Sequence, residues 1–193
     1  MSKELFLMRH GQTEYNVSYR IQGWSNSPLT QEGILQAKAA HAYFQKNGIT
    51  FDQILSSDLD RAYQTAQLAT DYALPIHKQT FLREWGYGSL ESKSRKKVTV
   101  SLNNPPKKDY FVAFGGEDGT HVQERITQGI LSFLEKQADP SKVLMVSHGS
   151  VIYQFLTQYC QDIPPIGNCF IFHFIWEEGR LSLQTIIDPL KNS

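Results

Sequence analysis

Cysteine, net charge and long apolar runs are all scarce in this sequence of 193 residues. The two cysteines, Cys160 and Cys169, stand in no zinc or redox spacing and cannot form a disulfide framework. Their neighbours are apolar or aromatic, so they read as buried, inert thiols. Lysine plus arginine and aspartate plus glutamate number 19 each, so no overall field draws the chain to nucleic acid or to an anionic membrane. Recognition of an anion has to come from a local cluster. No stretch reaches membrane-spanning length and no apolar leader precedes the first strand, so a cytoplasmic protein is expected. Internal repeats and low-complexity tracts are absent as well. What remains, 40% hydrophobic and 20% charged, suits one domain over residues 1–193 with a sizeable core.

The chain is organised around Leu5-Phe6-Leu7-Met8-Arg9-His10-Gly11. Four apolar residues predict a short buried strand that stops at an arginine, a histidine and a glycine. In an open α/β sheet such a strand delivers Arg9 and His10 to the carboxyl edge, where these sheets carry their ligands. Gly11 lets the backbone turn and approach a ligand closely. Residues 13–26 read as a loop. Thr30 suits a helix N-cap, and Ile34, Leu35, Ala39, Ala42 and Tyr43 predict a helix face running to about Lys46. A second strand over 51–55 closes at Ser56-Ser57, and Leu59, Ala62, Tyr63, Ala66, Ala69 and Ala73 recur at helical spacing behind it. Strand alternating with helix is the grammar of a βαβ sheet with helices on its faces.

Over 92–114 the pattern loosens. Lys93, Arg95, Lys96, Lys97, Lys107 and Lys108 make a basic island and Pro105-Pro106 interrupt any helix, so a lid insertion is expected there. The island reads either as a solvated charge run or as a clamp for a second anionic group. A helix carrying Val122, Ile126, Ile130, Phe133 and Leu134 follows, and then a third strand over 142–146 that ends in Ser147-His148-Gly149. The chain closes on a hairpin about Glu177-Glu178-Gly179-Arg180, a sheet edge able to pair with a second copy, so a homodimer is one expected state.

Two apolar strands thus end alike, in Arg9-His10-Gly11 and in Ser147-His148-Gly149. If both are parallel strands of one sheet, His10 and His148 share its carboxyl rim. The strand closing at Ser57 is followed by Asp58-Leu59-Asp60-Arg61, which brings Arg61 to the same rim. An arginine fork matches phosphate oxygens in charge and geometry, so a phosphate group is the expected guest. Alone, Arg61 at a helix start would read as a surface partner for Asp58. Of the other histidines, His41 reads as a helix-face residue, His77 as a turn residue and His173 as a packed or surface strand residue. His121 is kept in reserve. Trp24, Trp85, Tyr15, Tyr19 and Tyr87 cluster in loops near the rim, as pocket lining or lid packing.

An ordered set of motifs covers most of the chain: Arg9-His10-Gly11, the Pro28-Leu29-Thr30 to Gln36-Ala37 stretch and Ser57-Asp58-Leu59-Asp60-Arg61-Ala62, then Leu82-Arg83-Glu84-Trp85-Gly86-Tyr87-Gly88, Gly115-Gly116-Glu117 and Ser147-His148-Gly149. In this set and order the sequence resembles the histidine phosphatase superfamily, also called phosphoglycerate mutase-like. Glu91-Ser92 departs from the Glu-Gly that many members carry. The resemblance implies an α/β fold, a three-layer αβα sandwich with a mostly parallel central sheet and a small inserted lid. It implies that His10 is the nucleophile, forming a phosphohistidine, and that Arg9, Arg61 and His148 hold the phosphoryl oxygens. Glu84 matches the acid that protonates the leaving oxygen and then serves as base for the attacking water. Asn16, Gln22, Gly23 and Gly149 match positions lining the substrate pocket. No metal or other cofactor is implied, and no metal-ligand spacing appears.

Three functions are compatible with this reading. The first is hydrolysis of small phosphorylated metabolites. The second is a phosphoglycerate mutase, which returns the phosphoryl group to another hydroxyl and needs groups such as Lys93, Arg95 or Lys97 for a substrate carboxylate. The third is a phosphate binder that has lost its chemistry on the same scaffold. Against the third stands the presence of all five expected catalytic residues.

Overall fold

The computed structural model describes residues 2–97 and 107–191. Residues 98–106, the middle of the expected lid, lie outside the described residues. Strands β1 (Lys3–Arg9), β2 (Gln53–Ser56), β3 (Ile76–Lys78), β4 (Ser141–Ser147), β5 (Ile171–Glu177) and β6 (Arg180–Ile187) form one sheet in the order β3-β2-β4-β1-β5-β6. The first four of that order run parallel, and β5 and β6 are antiparallel additions to one side. The sheet is therefore mostly parallel, with the final hairpin supplying its antiparallel edge.

Period-two alternation explains why this sheet is covered twice. In β1, Leu5 and Leu7 join Val143 and Met145 of β4 in a core that also takes Val122, Ile126, Ile130 and Phe155. Phe6 and Met8 join Leu144, Val146 and Ile54 in a second core with Ala40, Phe44, Ala62 and Ala66. Helices α4 (Gly119–Glu135) and α5 (Gly149–Leu156) thus cover one face, and α2 (Gln31–Lys46) and α3 (Asp60–Ala69) cover the other. That is a three-layer αβα sandwich. The two β1 residues at its centre, Leu7 and Met8, have no exposed surface, and each contributes about 1.5–3 kcal/mol of burial.

Two local readings are corrected. Residues 13–26 are not all loop: α1 (Glu14–Val17) is one turn closed by a capping box between Thr13 and Asn16. Helix α2 begins at the expected N-cap, with Thr30 Oγ1 accepting from the Gly33 amide at 3.0 Å, but its buried face is Gly33, Gln36, Ala37, Ala40 and Phe44. Leu35, expected inside, is 50% exposed. The reason is a backbone contact. A Cβ on Gly11 would stand 2.5 Å from the Gly33 carbonyl oxygen, so the helix lies against the loop after β1 with its glycine and small residues inward. Gln36 Oε1 then accepts from the Gln12 amide at 2.9 Å.

Candidate active site

Because β2, β4 and β1 are parallel neighbours, their carboxyl ends share one edge of the sheet. Arg9 is in register with Ser147, and the His10 amide donates to the Ser147 carbonyl at 3.0 Å, one step beyond the strand. The His10 and His148 rings therefore face each other with centroids 5.1 Å apart. Both are buried. Arg61 comes from the first turn of α3 and is 1% exposed. It is not a surface partner of Asp58, whose carboxylate is taken by Arg83 in a two-bond pair at 2.8 and 2.6 Å. Instead, Arg61 Nη1 and Nη2 donate to the carbonyls of Ser25 and Gly23 at 3.0 and 2.7 Å. Arg9 Nη1 is tied to the Ile166 carbonyl at 2.6 Å.

His10 Nδ1 lies 2.7 Å from the Gly11 carbonyl oxygen. A carbonyl can only accept, so Nδ1 carries the proton and Nε2 keeps its lone pair. Burial, Arg61 and Arg9 together hold His10 well below the ordinary histidine range, so the ring stays neutral. Burial, Arg61 and His10 do the same to His148. Burial also lowers both guanidinium groups, Arg61 to about 10, and each remains cationic at neutral pH. Arg9 Nε, Arg61 Nε and both ring nitrogens of His148 are buried without a hydrogen-bond partner among the described residues. Buried polar nitrogens are seldom left so. Two guanidinium N–H groups and the single N–H of a neutral His148, set around one neutral, lone-pair-bearing imidazole, suit an incoming anion with several oxygens.

Glu84, 8% exposed, reaches this edge from the irregular segment after a turn at Thr80–Leu82. Its Oε1 accepts from the amides of Trp85 and Val151 at 2.9 and 3.1 Å, and its Oε2 from Ser150 at 3.3 Å. The amino end of α5 thus faces Glu84. Gly149 opens that helix, and a Cβ there would approach Arg9 Nε to 3.3 Å.

The expected pocket positions line the adjoining loop. Asn16 Oδ1 accepts from the Thr13 amide at 3.1 Å and from Asn168 Nδ2 at 3.3 Å. Gln22 Nε2 donates to Thr13 Oγ1 at 2.7 Å. Gly23, at φ +54°, presents its carbonyl to Arg61. Trp85 and Tyr87 are buried and pack with Phe111, whereas Trp24 and Tyr19 are exposed. Burial raises the Tyr87 phenol, which donates to Ser150 Oγ at 2.6 Å. Arg95 lies near enough to act electrostatically on Arg9 and Tyr87. Away from the edge, His173 stacks on Phe6 and bonds Glu4 at 2.9 Å, and His121 and His77 are exposed. Cys169 is buried, its thiol pushed up to about 12 by burial, and Cys160 is half-buried.

Three contributors escaped the sequence reading. Thr65 Oγ1 accepts from the Gly11 amide at 3.0 Å, Asn168 Nδ2 donates to the His10 carbonyl at 3.0 Å, and Arg125 holds the Glu84 segment. Thr65 and Arg125 carry a weak sequence signal, each being a polar residue beside the apolar stripe of its helix. Asn168 lies in an irregular stretch with none.

Among the described residues no group of three or more histidines, cysteines, aspartates or glutamates could hold a metal ion, and no helix is long and apolar enough to cross a membrane. The chain is 37% identical to a probable phosphoglycerate mutase GpmB of Yersinia pestis (strain Pestoides F), over 77% of this chain and 71% of the relative. Its fold matches that of a phosphoglycerate mutase from Bacillus anthracis, with a TM-score of 0.85 at 23% identity over 99% of this chain and 95% of the other. A phosphoserine phosphatase from Entamoeba histolytica, solved in complex with 3-phosphoglyceric acid, matches with a TM-score of 0.75 at 26% identity, over 95% and 96% of the two chains. The family model of the histidine phosphatase superfamily (branch 1) matches residues 5–188, and this chain belongs to that superfamily.

Proposed function

We propose that the protein hydrolyses small phosphate monoesters through a phosphohistidine on His10. The observation that carries this reading is the bond from His10 Nδ1 to the Gly11 carbonyl, which leaves Nε2 as a fixed lone pair beside two cationic guanidinium groups. In the first step the Nε2 lone pair forms a bond to phosphorus while the bond from phosphorus to the ester oxygen breaks. Arg9, Arg61 and His148 offset the charge on the phosphoryl oxygens. Glu84 gives its proton to the departing alkoxide. Its Oε2, touched by one long contact at 3.3 Å, is the oxygen with room to carry that proton. In the second step Glu84 takes a proton from water, the water oxygen bonds phosphorus, and the bond to nitrogen breaks to release phosphate and free His10. Asn16, Gln22, Gly23 and Gly149 shape the pocket of a single domain.

A phosphoglycerate mutase is the second reading. It is favoured by the name of the Yersinia relative and by the charge of Arg95, which acts on Arg9 and has the sign that a substrate carboxylate requires. The deciding experiment tracks phosphate release over a panel of phosphorylated metabolites with EDTA present, and conversion of 3- to 2-phosphoglycerate beside it. Free phosphate from several esters, lost in His10→Ala, is the expected result. Isomerisation with little free phosphate would replace hydrolysis with mutase chemistry, and silence in both assays would leave a phosphate binder.

A further inference from the structure

The segment that carries Glu84 belongs to no strand of the sheet. After the short turn at Thr80–Leu82 it runs irregularly past Glu84 to Tyr87, and its buried carbonyls still need donors. Ser147 Oγ donates to the Leu82 carbonyl and Trp24 Nε1 to the Glu84 carbonyl, each at 2.8 Å, and a third side chain makes more of these bonds than either. Arg125, on α4, donates from Nη1 to the carbonyls of Phe81 and Arg83 at 2.9 and 2.8 Å, and from Nη2 to the carbonyl of Glu84 itself at 2.9 Å. The same guanidinium is held from behind by Glu117, whose Oε1 and Oε2 accept from its Nε and Nη2, each at 2.9 Å. Glu117 Oε2 also accepts from the Gly86 amide at 2.8 Å, and the Glu117 amide donates to the Gly86 carbonyl at 2.8 Å. From residue 81 to residue 86, then, Arg125 and Glu117 make most of the side-chain bonds to a backbone that no strand pairs.

We infer that Arg125 is a positioning residue for Glu84: its fork sets the backbone from which the Glu84 carboxylate reaches the ester oxygen. The inference rests on the phosphatase reading above. A planar fork with five donors can bind three carbonyls and a carboxylate at once, and a lysine ammonium at the same place cannot. Arg125→Lys keeps the charge and loses the geometry, so the segment shifts and proton delivery suffers, while His10 and the phosphoryl-binding groups keep their places on the sheet edge.

Leaving-group dependence separates this role from a general structural one. Phenoxide leaves poorly without a proton and 2,4-dinitrophenoxide leaves well without one. The kcat/KM values of the two esters report only steps through phosphorylation of His10, before water enters. Arg125→Lys is expected to lower kcat/KM for phenyl phosphate by about 30-fold, part of the 10²–10⁴ that a placed general acid supplies. For 2,4-dinitrophenyl phosphate the expected loss is below about threefold, as in a Glu84→Gln reference. Equal losses on both esters, or no loss on either, would overturn the inference. If Arg125→Lys does not fold, Glu117→Gln replaces it: that variant loosens the fork from behind and should show the same split, smaller, and an unsplit loss overturns the inference equally. A wild-type protein that releases phosphate from neither ester would overturn the phosphatase reading itself, and is recognised before any substitution is made.

Discussion

His10 and His148 stand at the ends of two paired strands with nearly the same sequence, and the proposed reaction gives them different work. Both come after a buried apolar strand, both precede glycine, and the His10 amide donates to the carbonyl of Ser147, the residue before His148, at 3.0 Å. After His10 the chain runs into a loop, and the carbonyl of Gly11 turns back to take the Nδ1 proton. After His148 the chain enters α5 at once, with His148 as the N-cap residue, and neither ring nitrogen has a partner among the described residues. A fixed tautomer is what a nucleophile needs, because it dedicates one nitrogen to attack. An untied ring suits a group that donates to an anion once the anion arrives. The element entered after each histidine, loop or helix, separates the two roles.

The sharpest way to break this contrast is to remove each ring in turn. His10→Ala is expected to abolish phosphate release, with a loss of at least about 10⁴-fold in kcat/KM, the scale on which a lost nucleophile is felt. No acid-labile phosphoenzyme should form on incubation with labelled ester. His148→Ala should cost about 10²–10³-fold, as does loss of one donor to a developing oxyanion, yet a slowly formed phosphoenzyme should remain detectable. If the second variant also forms none, the two histidines share one role and the contrast fails.

Acid separates the pair from ordinary surface histidines. Both rings are held well below the ordinary value of 6.5 by burial and by nearby cations, so the unfolded chain binds their protons first. Stability is therefore full above 6.5 and falls as pH drops below it, by about 1.4 kcal/mol per pH unit for each ring until that ring protonates in the folded state. Denaturant melts between pH 7 and pH 5 should show the slope, and His148→Phe should remove its share. The acid limb of kcat/KM that belongs to His10 should likewise lie well below 6.5. A limb at the ordinary value would mean that water and counter-ions screen the arginines more than the burial of the site implies.

Much of this site can be read without coordinates, for a local reason. The strand ends, the Thr30 cap and the turn into Arg61 are encoded within a few residues of where they act, and parallel pairing of apolar strands then brings them together. The face of α2 is misjudged from periodicity because a glycine carries no hydrophobic signal, although the contact between Gly33 and Gly11 fixes the helix orientation. The supports of the site lie beyond such reading. Arg125 acts on carbonyls 41 to 44 positions away, and Asn168 bonds the His10 carbonyl across 158 positions. Backbone carbonyls are the same at every residue, so no side-chain pattern announces which of them a distant donor will find.

The smallest expected effect falls on Gly149, the counterpart of Gly11 in the second strand end. A methyl group on Gly11 would strike the Gly33 backbone, which cannot yield, so Gly11→Ala should cost about 1–3 kcal/mol as an overpacked site. A Cβ on Gly149 meets Arg9 Nε at 3.3 Å, and a side chain can give way by a few tenths of an ångström. Gly149 is the first residue of α5, where alanine is the better helix former by up to about 1 kcal/mol. Gly149→Ala should therefore melt no lower than the parent and yet lose about threefold in kcat/KM, because Arg9 no longer sits where the phosphoryl oxygens require it. A lower melting temperature with unchanged kcat/KM would show that this glycine is there for packing, and that Arg9 tolerates displacement. The opposite pair of results would make the two glycines as unlike as the two histidines before them, one holding a helix against the loop and the other leaving room for a guanidinium.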